Sequence, residues 1–213
     1  MESRTTYLFN ELKNKGLYLH TGTLKTFSGN DEIFIRAVST KMPRIDEFII
    51  KATHARNTWR EAFLSEFNAS TDRTFRWIKT IENNPFQVLF SVENFKKISF
   101  AHIGITFDSI DKTFEIGQIV RFEEGCKGGM TQALLLLCEW TFNNFDVPYI
   151  FLKCVAENSK AMAMYQRCGF KETSWIPFFK YRKNDEIIWQ PAKPEYGDVE
   201  ERTVLVMKKY RTV

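Results

Sequence analysis

The stretch that decides the fold is residues 157–170, which read ENSKAMAMYQRCGF. It directly follows the apolar segment 149–155, which has the length and composition of a strand. Asn158 is a favourable residue at a helix N-cap, and glycine at a position such as Gly169 commonly ends a helix. The sequence therefore predicts a strand followed by a short helix that carries Tyr165 about two turns after its start.

A second distinctive stretch, GCKGGMT, occupies residues 125–131. It lies between a predicted strand at 113–122 and a long helical pattern at 127–145. Main-chain amides at a helix N-terminus bind anions, and glycine lets the backbone approach a pyrophosphate closely. The stretch is neither a G-x-G-x-x-G dinucleotide loop nor a P-loop, so the alternative is a tight strand-to-helix turn without a ligand.

The remaining pattern predicts helices packed on a mixed sheet. Further strands are predicted at 33–38, 86–92, 98–107 and 203–208, with an apolar run at 175–181. Helical spacing predicts two short helices within 43–67 and a third from Ser70 or Thr71 to the break at 83–85. Short connections between 86 and 122 imply an antiparallel meander, and the later segments alternate strand and helix. The fold class is therefore α+β, or layered α/β with the antiparallel strands first.

The polar turn at 28–31 suggests a domain boundary. We expect residues 1–30 to be an N-terminal extension and residues 31–213 to form a single domain. A charged, proline-containing excursion interrupts that domain at about 183–202. It is longer than a hairpin turn, so we expect it to cover a sizeable acceptor or to form a dimer contact.

Composition excludes several classes of protein. The 213 residues include 44% hydrophobic and 26% charged residues, which are ordinary globular values. A net charge of +4 without a Lys/Arg block argues against nucleic acid as a partner. The N-terminus lacks the apolar core of a signal peptide, and no segment has the length of a membrane span, so we expect a cytoplasmic protein without a membrane partner. The spacing of the cysteines does not match that of metal ligands, so we expect reduced thiols and no metal site. The four cysteines are Cys126, Cys138, Cys154 and Cys168.

Taken together, the two glycine-containing stretches resemble the GNAT superfamily of acyl-CoA N-acyltransferases, in particular the branch with the ribosomal-protein alanine acetyltransferases. Residues 158–170 match the family segment Asn-x-x-Ala/Ser-x-x-x-Tyr-x-x-x-Gly-Phe without a gap. Gly128 falls on the invariant glycine of the family's cofactor loop, whereas Gly125 and Met130 depart from its Arg/Gln and small-residue positions. The resemblance covers residues 33–208 and implies a mixed, mostly antiparallel sheet of about seven strands with about four helices.

The resemblance also implies a set of site residues. Acetyl-CoA is the expected co-substrate, and the residues expected to bind it are Ile119, Val120, Arg121, Gly125, Cys126, Lys127, Gly128, Gly129, Met130, Thr131 and Asn158. Tyr165 resembles the general acid that protonates the leaving thiolate, although a core tyrosine is the alternative. Glu115 resembles a general base on the fourth strand, with a solvated surface charge as its alternative and His102 as a second candidate base.

The function implied is direct transfer of an acetyl group from acetyl-CoA to a primary amine in a ternary complex. The acceptor is an amino sugar nucleotide, a protein N-terminus or a small amine, and a homodimer is possible. A non-catalytic acetyl-CoA sensor is the alternative. Aromatic residues at helical spacing are usually core, although the family uses its first helices to wall the acceptor pocket; those residues here are Trp59, Phe63, Phe67, Phe75 and Trp77.

Overall fold

The computed structural model describes residues 1–15, 18–20, 33–123, 126–191 and 201–211, with the backbone alone described for 18–20. The helices in these residues are α1 (Glu2–Lys15), α2 (Ile45–Thr58), α3 (Thr71–Asn83), α4 (Gly129–Asn144) and α5 (Ser159–Arg167), with a single 3-10 turn at Arg60–Ala62. The strands are β1 (Tyr18–His20), β2 (Phe34–Ala37), β3 (Ser65–Glu66), β4 (Gln87–Glu93), β5 (Ser99–Asp108), β6 (Thr113–Arg121), β7 (Tyr149–Val155), β8 (Lys171–Lys183), β9 (Glu186–Gln190) and β10 (Glu201–Tyr210).

These strands form one sheet in the order β1-β2-β4-β5-β6-β7-β10-β8-β9-β3. β6 and β7 pair in parallel, and the other described neighbours pair antiparallel. The predicted mixed, mostly antiparallel sheet is confirmed. The described residues contain ten strands instead of about seven, because β1, β3 and β9 are short strands that the sequence pattern did not reveal.

Helices cover both faces of the sheet. Alternate residues of β4 separate the two layers, because Val88 and Phe90 pack in the core beneath α1, α4 and α5, whereas Leu89 packs with α2 and α3. The α3 helix begins where predicted, with the Ser70 hydroxyl accepting the Arg73 amide at 3.2 Å. The second helix predicted within 43–67 is wrong: α2 runs unbroken for 14 residues, and one 3-10 turn and β3 follow it.

The segment expected to be an N-terminal extension contributes to the main core. Phe9 of α1 is fully buried, with its ring centroid 6.3 Å from that of Phe114 and 6.2 Å from that of Trp140. The Lys13 ammonium donates to three carbonyl oxygens at the end of α3, the shortest being that of Asn84 at 2.6 Å. Burial lowers the pKa of Lys13, and the carbonyls compensate the buried charge while capping the helix. Residues 2–15 therefore pack as part of the domain.

The predicted excursion begins as a hairpin. β8 and β9 are joined by Asn184 and Asp185, and Asn184 has φ 56°, a left-handed conformation that asparagine tolerates. β9 then pairs with β3, through Ser65 with Ile188 and Glu66 with Ile187. This pairing fastens the loop after α2 to the hairpin. Residues 192–200 of the excursion lie outside the described residues.

Replacing Phe9 by alanine tests whether α1 belongs to the core. We expect Phe9→Ala to lower the free energy of unfolding by about 3–5 kcal/mol, because it removes a buried ring and leaves a cavity against Phe114 and Trp140. Tyr7→Ala, at a 63% exposed position of the same helix, is the control and should change it by less than about 0.5 kcal/mol. Urea unfolding measures both, and equal midpoints for the two variants would contradict the packing of α1.

Candidate active site

A gap between two parallel strands marks the candidate site. β6 and β7 pair only through Phe114 with Ile150 and Glu115 with Phe151. Beyond these pairs both strands continue, and no further β6–β7 pair occurs in the described residues. The main chain of β6 from Ile116 onward therefore has β5 on one side and an open notch on the other. The predicted cofactor-binding residues Ile119, Val120 and Arg121 lie on this separated part of β6.

The N-terminus of α4 lies at the carboxyl end of β6. Gly128 is its N-cap with φ 77°, a conformation for which glycine has no steric penalty. The Gly129 amide bonds the Cys126 carbonyl at 2.9 Å and the Gln132 amide bonds that of Gly128 at 3.0 Å. The amides of Met130 and Thr131 have no backbone acceptor in the described residues, so they are open to an anion.

The rest of the predicted cofactor loop lies before this helix start. Lys127 is exposed and Cys126 is partly buried, while Gly125 lies outside the described residues. The ideal Cβ of a residue at Gly129 would lie 2.9 Å from the Phe100 ring, so a side chain there would require the ring or the helix start to shift. No disulfide joins any of the four cysteines, all of which are described.

The start and end of α5 have the caps that the sequence predicts. The Asn158 side chain accepts the Ala161 amide at 3.1 Å, which leaves its NH₂ group available to a ligand. At the other end Gly169 has φ 86°, and the Phe170 amide bonds the Tyr165 carbonyl at 3.0 Å. With the Gly169 amide bonded to the Gln166 carbonyl at 2.9 Å, this is a Schellman motif. Because β6 and β7 are parallel, the N-termini of α4 and α5 lie at the same edge of the sheet, beside the notch.

Tyr165 is 7% exposed and lies in the core that α4 and α5 form with the sheet. Burial, with smaller contributions from Cys154 and Cys168, raises its pKa, so the phenol stays protonated at neutral pH. Cys154 is on the part of β7 that has separated from β6. The hydroxyl makes no hydrogen bond to another described residue. A protonated phenol beside the notch has the state that a general acid requires.

Glu115 lies at the closed end of the notch, on the opposite face of the sheet from Tyr165. Its neighbours Phe114 and Ile116 point into the core that contains Tyr165, and strand alternation turns Glu115 the other way. The carboxylate accepts a hydrogen bond from Lys153 at 3.0 Å, and both side chains are partly exposed. The Lys153 ammonium therefore holds the carboxylate in place across the β6–β7 junction.

A bulge in β6 positions the side chain of Gln118, which the sequence pattern did not single out. The β5–β6 register shifts between His102 and Gly104, and opposite this shift Gln118 has φ 52°. His102 Nδ1 donates to the Gln118 carbonyl at 2.5 Å. Gln118 Oε1 is buried without a hydrogen-bond partner and packs against Gly104, at which any Cβ would overlap it. The missed signal was Gly104, a glycine inside a strand, which commonly marks a bulge or close approach.

His102 is a structural residue at this bulge and a poor candidate for the base. The rings of Phe48, Trp77 and Phe122 surround it, with centroids 6.2, 5.7 and 5.4 Å from its own. Burial lowers its pKa to about 4, so it is neutral at pH 7 with its Nδ1 proton on the Gln118 carbonyl. The imidazole therefore stabilises the bulge through this hydrogen bond.

Of the aromatic residues expected in the core, Trp77 packs against the core cluster of α2 and α3, and the others do not belong to a core cluster. Trp59 is 56% exposed and Phe75 is 38% exposed, while Phe63, Phe67 and Trp77 are partly buried. For Trp59, Phe63 and Phe67 the expectation fails because the chain leaves helical geometry at Trp59, whereas Phe75 lies on the exposed side of α3. These rings lie on the α2–α3 side of the sheet.

The buried imidazole makes a pH-dependent contribution to stability. Its folded pKa lies below its usual value of 6.5, so the unfolded chain takes up a proton first as the pH falls. We expect about 3 kcal/mol of stability to be lost between about pH 6.5 and pH 4 from this group. Urea unfolding of the wild type and His102→Asn across this range measures the difference. An identical pH dependence in both proteins would contradict a neutral buried His102.

Two glycines that face each other across β5 and β6 provide a matched test of the bulge. We expect Gly104→Ala to lower the free energy of unfolding by about 1–3 kcal/mol, because the new methyl group must displace the Gln118 side chain. At Gly117 a Cβ meets nothing within 4 Å. Gly117→Ala should therefore be neutral or stabilise by about 0.4–1 kcal/mol. Thermal unfolding distinguishes them, and a similar effect of the two substitutions would contradict the contact.

Comparison with known proteins supports one family. Comparison with curated protein sequences gives no match. The chain is similar in fold to spermidine N-acetyltransferase from Vibrio cholerae, solved in complex with CoA and spermine, with a TM-score of 0.62 and 18% identity over 84% of this chain and 95% of that one. It is also similar to an acetyltransferase from Salmonella typhimurium that modifies the N-terminal serine of 50S ribosomal subunit protein L7/L12, with a TM-score of 0.63 and 13% identity over 84% and 95% of the two chains.

These likenesses establish the fold, and the sequence model of the acetyltransferase (GNAT) domain matches residues 34–171. That match takes in both strands of the notch and both helix starts beside it, and it covers well over half of the chain. The protein therefore belongs to the GNAT family of acetyltransferases and is an N-acyltransferase enzyme.

Proposed function

We propose that the protein transfers an acetyl group from acetyl-CoA to a primary amine by direct transfer in a ternary complex. The observation that carries this proposal is the notch between β6 and β7, with two helix N-termini at its open edge and a protonated tyrosine beside it. The pantetheine arm would extend the sheet by bonding the free main chain of Ile119–Arg121. The pyrophosphate would bind the open amides of Met130 and Thr131, together with Lys127.

The chemistry follows from this placement. The amine nitrogen attacks the thioester carbonyl carbon, and the new carbon–nitrogen bond produces a tetrahedral intermediate with a negative oxygen. A main-chain amide of the separated part of β6 would stabilise that oxygen. The carbon–sulfur bond then breaks, and Tyr165 donates its proton to the departing CoA thiolate. Tyr165 would act from the α5 face while the amine enters from the α2–α3 face.

Glu115 is proposed as the base that removes a proton from the amine. It lies on the face of the sheet that α2 and α3 cover, so it is on the side from which the acceptor would enter. Because it lies at the closed end of the notch and is held by Lys153, we propose that it accepts the proton through a water molecule. The Lys153 ammonium would keep the carboxylate oriented between turnovers.

Three acceptor classes remain for this activity: a protein N-terminus, an amino sugar nucleotide and a small amine. Two of them have a structural neighbour. The Vibrio cholerae enzyme is named for spermidine and holds spermine, and the Salmonella typhimurium enzyme acts on a ribosomal protein N-terminus. Their identities to this chain are low, so the acceptor must be argued from this chain's own residues.

A free-thiol assay with acetyl-CoA and a panel of the three acceptor classes tests the proposal. We expect acceptor-dependent CoA release by the wild type, and a decrease in kcat of about 10²-fold or more in Tyr165→Phe and in Glu115→Gln, because each removes a proton-transfer group. The dissociation constant of acetyl-CoA, measured by calorimetry, should change by less than about threefold in both variants, since neither removes a proposed cofactor contact.

Tyr210→Phe is the matched control, because Tyr210 is 53% exposed near the end of β10 and far along the chain from the proposed site. It should retain wild-type turnover. Wild-type binding of acetyl-CoA without turnover of any amine would contradict the transferase proposal and favour the non-catalytic sensor. Turnover that persists in Tyr165→Phe would remove the general-acid role alone.

A further inference from the structure

A stacked pair of arginines lies on the acceptor side of the sheet. Arg56, in the last turn of α2, places its guanidinium carbon 3.8 Å from the ring centroid of Phe63 and 4.6 Å from that of Phe67. Arg73, in the first turn of α3, lies 3.5 Å from the centroid of the same Phe67 ring. Two positive charges therefore share one aromatic residue in a partly buried position.

Only one of the two charges is neutralised within the described chain. Arg73 forms an ion pair with Glu186 of β9 at 2.8 Å. Arg56 forms no ion pair with any described residue, and the carboxylate of Glu66 instead accepts the Trp189 indole N–H at 2.9 Å. Burial lowers the pKa of Arg56 to about 10, and the charge of Arg73 lowers it more than Glu66 raises it. The guanidinium stays protonated at neutral pH as a partly buried positive charge.

The hydrogen bonds of Arg56 use one of its three nitrogens. Nη2 donates to the carbonyl oxygen of Ser65 and to its hydroxyl, the latter at 2.8 Å. Nε and Nη1 make no hydrogen bond to the described residues, and neither is a fully buried atom. Three N–H groups therefore remain for a ligand, and each of them can donate a charge-assisted hydrogen bond to a carboxylate or phosphate oxygen.

The charge of Arg56 acts on the residue that holds the bulge at the notch. This charge contributes to lowering the pKa of His102, the residue that bonds the Gln118 carbonyl. His102 is neutral, so it does not balance the charge of Arg56, and the Glu66 carboxylate offsets that charge less than Arg73 opposes it. Arg73 is paired with Glu186, and Glu66 is bonded to Trp189. A polycation placed here would meet the unpaired guanidinium, whereas an anion would satisfy it.

We propose that Arg56 forms an acceptor subsite for an anionic group, so that the preferred acceptor is a primary amine with a carboxylate or phosphate nearby. This rests on the proposed acetyl transfer and on entry of the acceptor from the α2–α3 face. The free N–H groups of Arg56 would bind the anion, and the aromatic rings of Phe63 and Phe67 hold the guanidinium in place. The same charge would disfavour polyamines.

Matched acceptors that differ only in charge test the proposal on the wild-type enzyme. The first series consists of the C-terminally amidated peptides Ala-Asp-Ala, Ala-Ser-Ala and Ala-Lys-Ala, which are anionic, neutral and cationic at the second residue. The second series compares glucosamine 6-phosphate with glucosamine. Spermidine is included as a polycationic acceptor. We expect the anionic member of at least one series to exceed its neutral counterpart in kcat/KM by about 10- to 100-fold, the value of a charge-assisted hydrogen bond. The series that responds identifies carboxylate or phosphate as the source of the anion.

Arg56→Met tests the residue, and Arg76→Met is its control. Methionine keeps an unbranched apolar chain over the Phe63 ring, and Arg76 is 70% exposed with Asp72 as its ion-pair partner. We expect the ratio of anionic to neutral acceptor turnover to fall to about one in Arg56→Met and to keep its wild-type value in Arg76→Met. Circular dichroism confirms folding, and the wild-type series decides the charge preference even where Arg56→Met does not fold.

The outcomes separate this proposal from the one it rests on. A wild-type preference for spermidine or Ala-Lys-Ala, or equal turnover within both series, would overturn the subsite while leaving acetyl transfer intact. A charge preference that survives Arg56→Met would assign it to another residue and overturn the role of Arg56. Absence of turnover with every amine, despite binding of acetyl-CoA, would overturn the transferase proposal and the subsite together.

Discussion

The constraint on which the site depends is the bulge of β6 at Gln118. Gln118 adopts φ 52°, and the strand beyond it remains paired with β5 while it has no pairs with β7. A bulge bends its strand and increases the local twist, so β6 leaves β7 after two residue pairs. His102 holds the bulge through its Nδ1 proton, and the surrounding Phe48, Trp77 and Phe122 rings keep the imidazole neutral. The free main-chain groups on the notch side of β6 exist because of this local deformation.

The notch also connects two faces with different properties. On one face, the starts of α4 and α5 present main-chain amides and an asparagine side chain at the open edge, and Tyr165 is buried among apolar neighbours. On the other face, α2 and α3 place partly exposed aromatic and charged residues over the sheet. Main-chain amides at helix N-termini suit an anionic ligand on the first face, whereas the second face presents aromatic and charged side chains. Within the described residues, the sheet separates these two faces, and the notch is the gap between them.

The α2–α3 face is fixed by contacts that are distant in sequence. β3 pairs with β9, the Trp189 indole bonds Glu66, and Arg202 Nη1 donates to the Glu61 carbonyl at 3.0 Å. The Arg202 guanidinium carbon also lies 4.6 Å from the Trp189 ring centroid. These contacts tie the loop after α2 to the β8–β9 hairpin. Such a loop loses little conformational entropy on binding an acceptor, because folding has already restricted it.

The sequence by itself determined the features that depend on neighbouring residues. The caps at Asn158 and Gly169 and the glycine start of α4 follow from local backbone preferences, which operate over a few residues. The seven strands other than β1, β3 and β9 were also recognisable, since each has a run of apolar or alternating residues. Tertiary structure alone decided that Gln118 packs over Gly104, that Lys13 caps α3 and that Arg56 has no ion-pair partner among the described residues. Those outcomes depend on which distant side chains meet across the sheet, and such meetings leave no periodic signal along the chain.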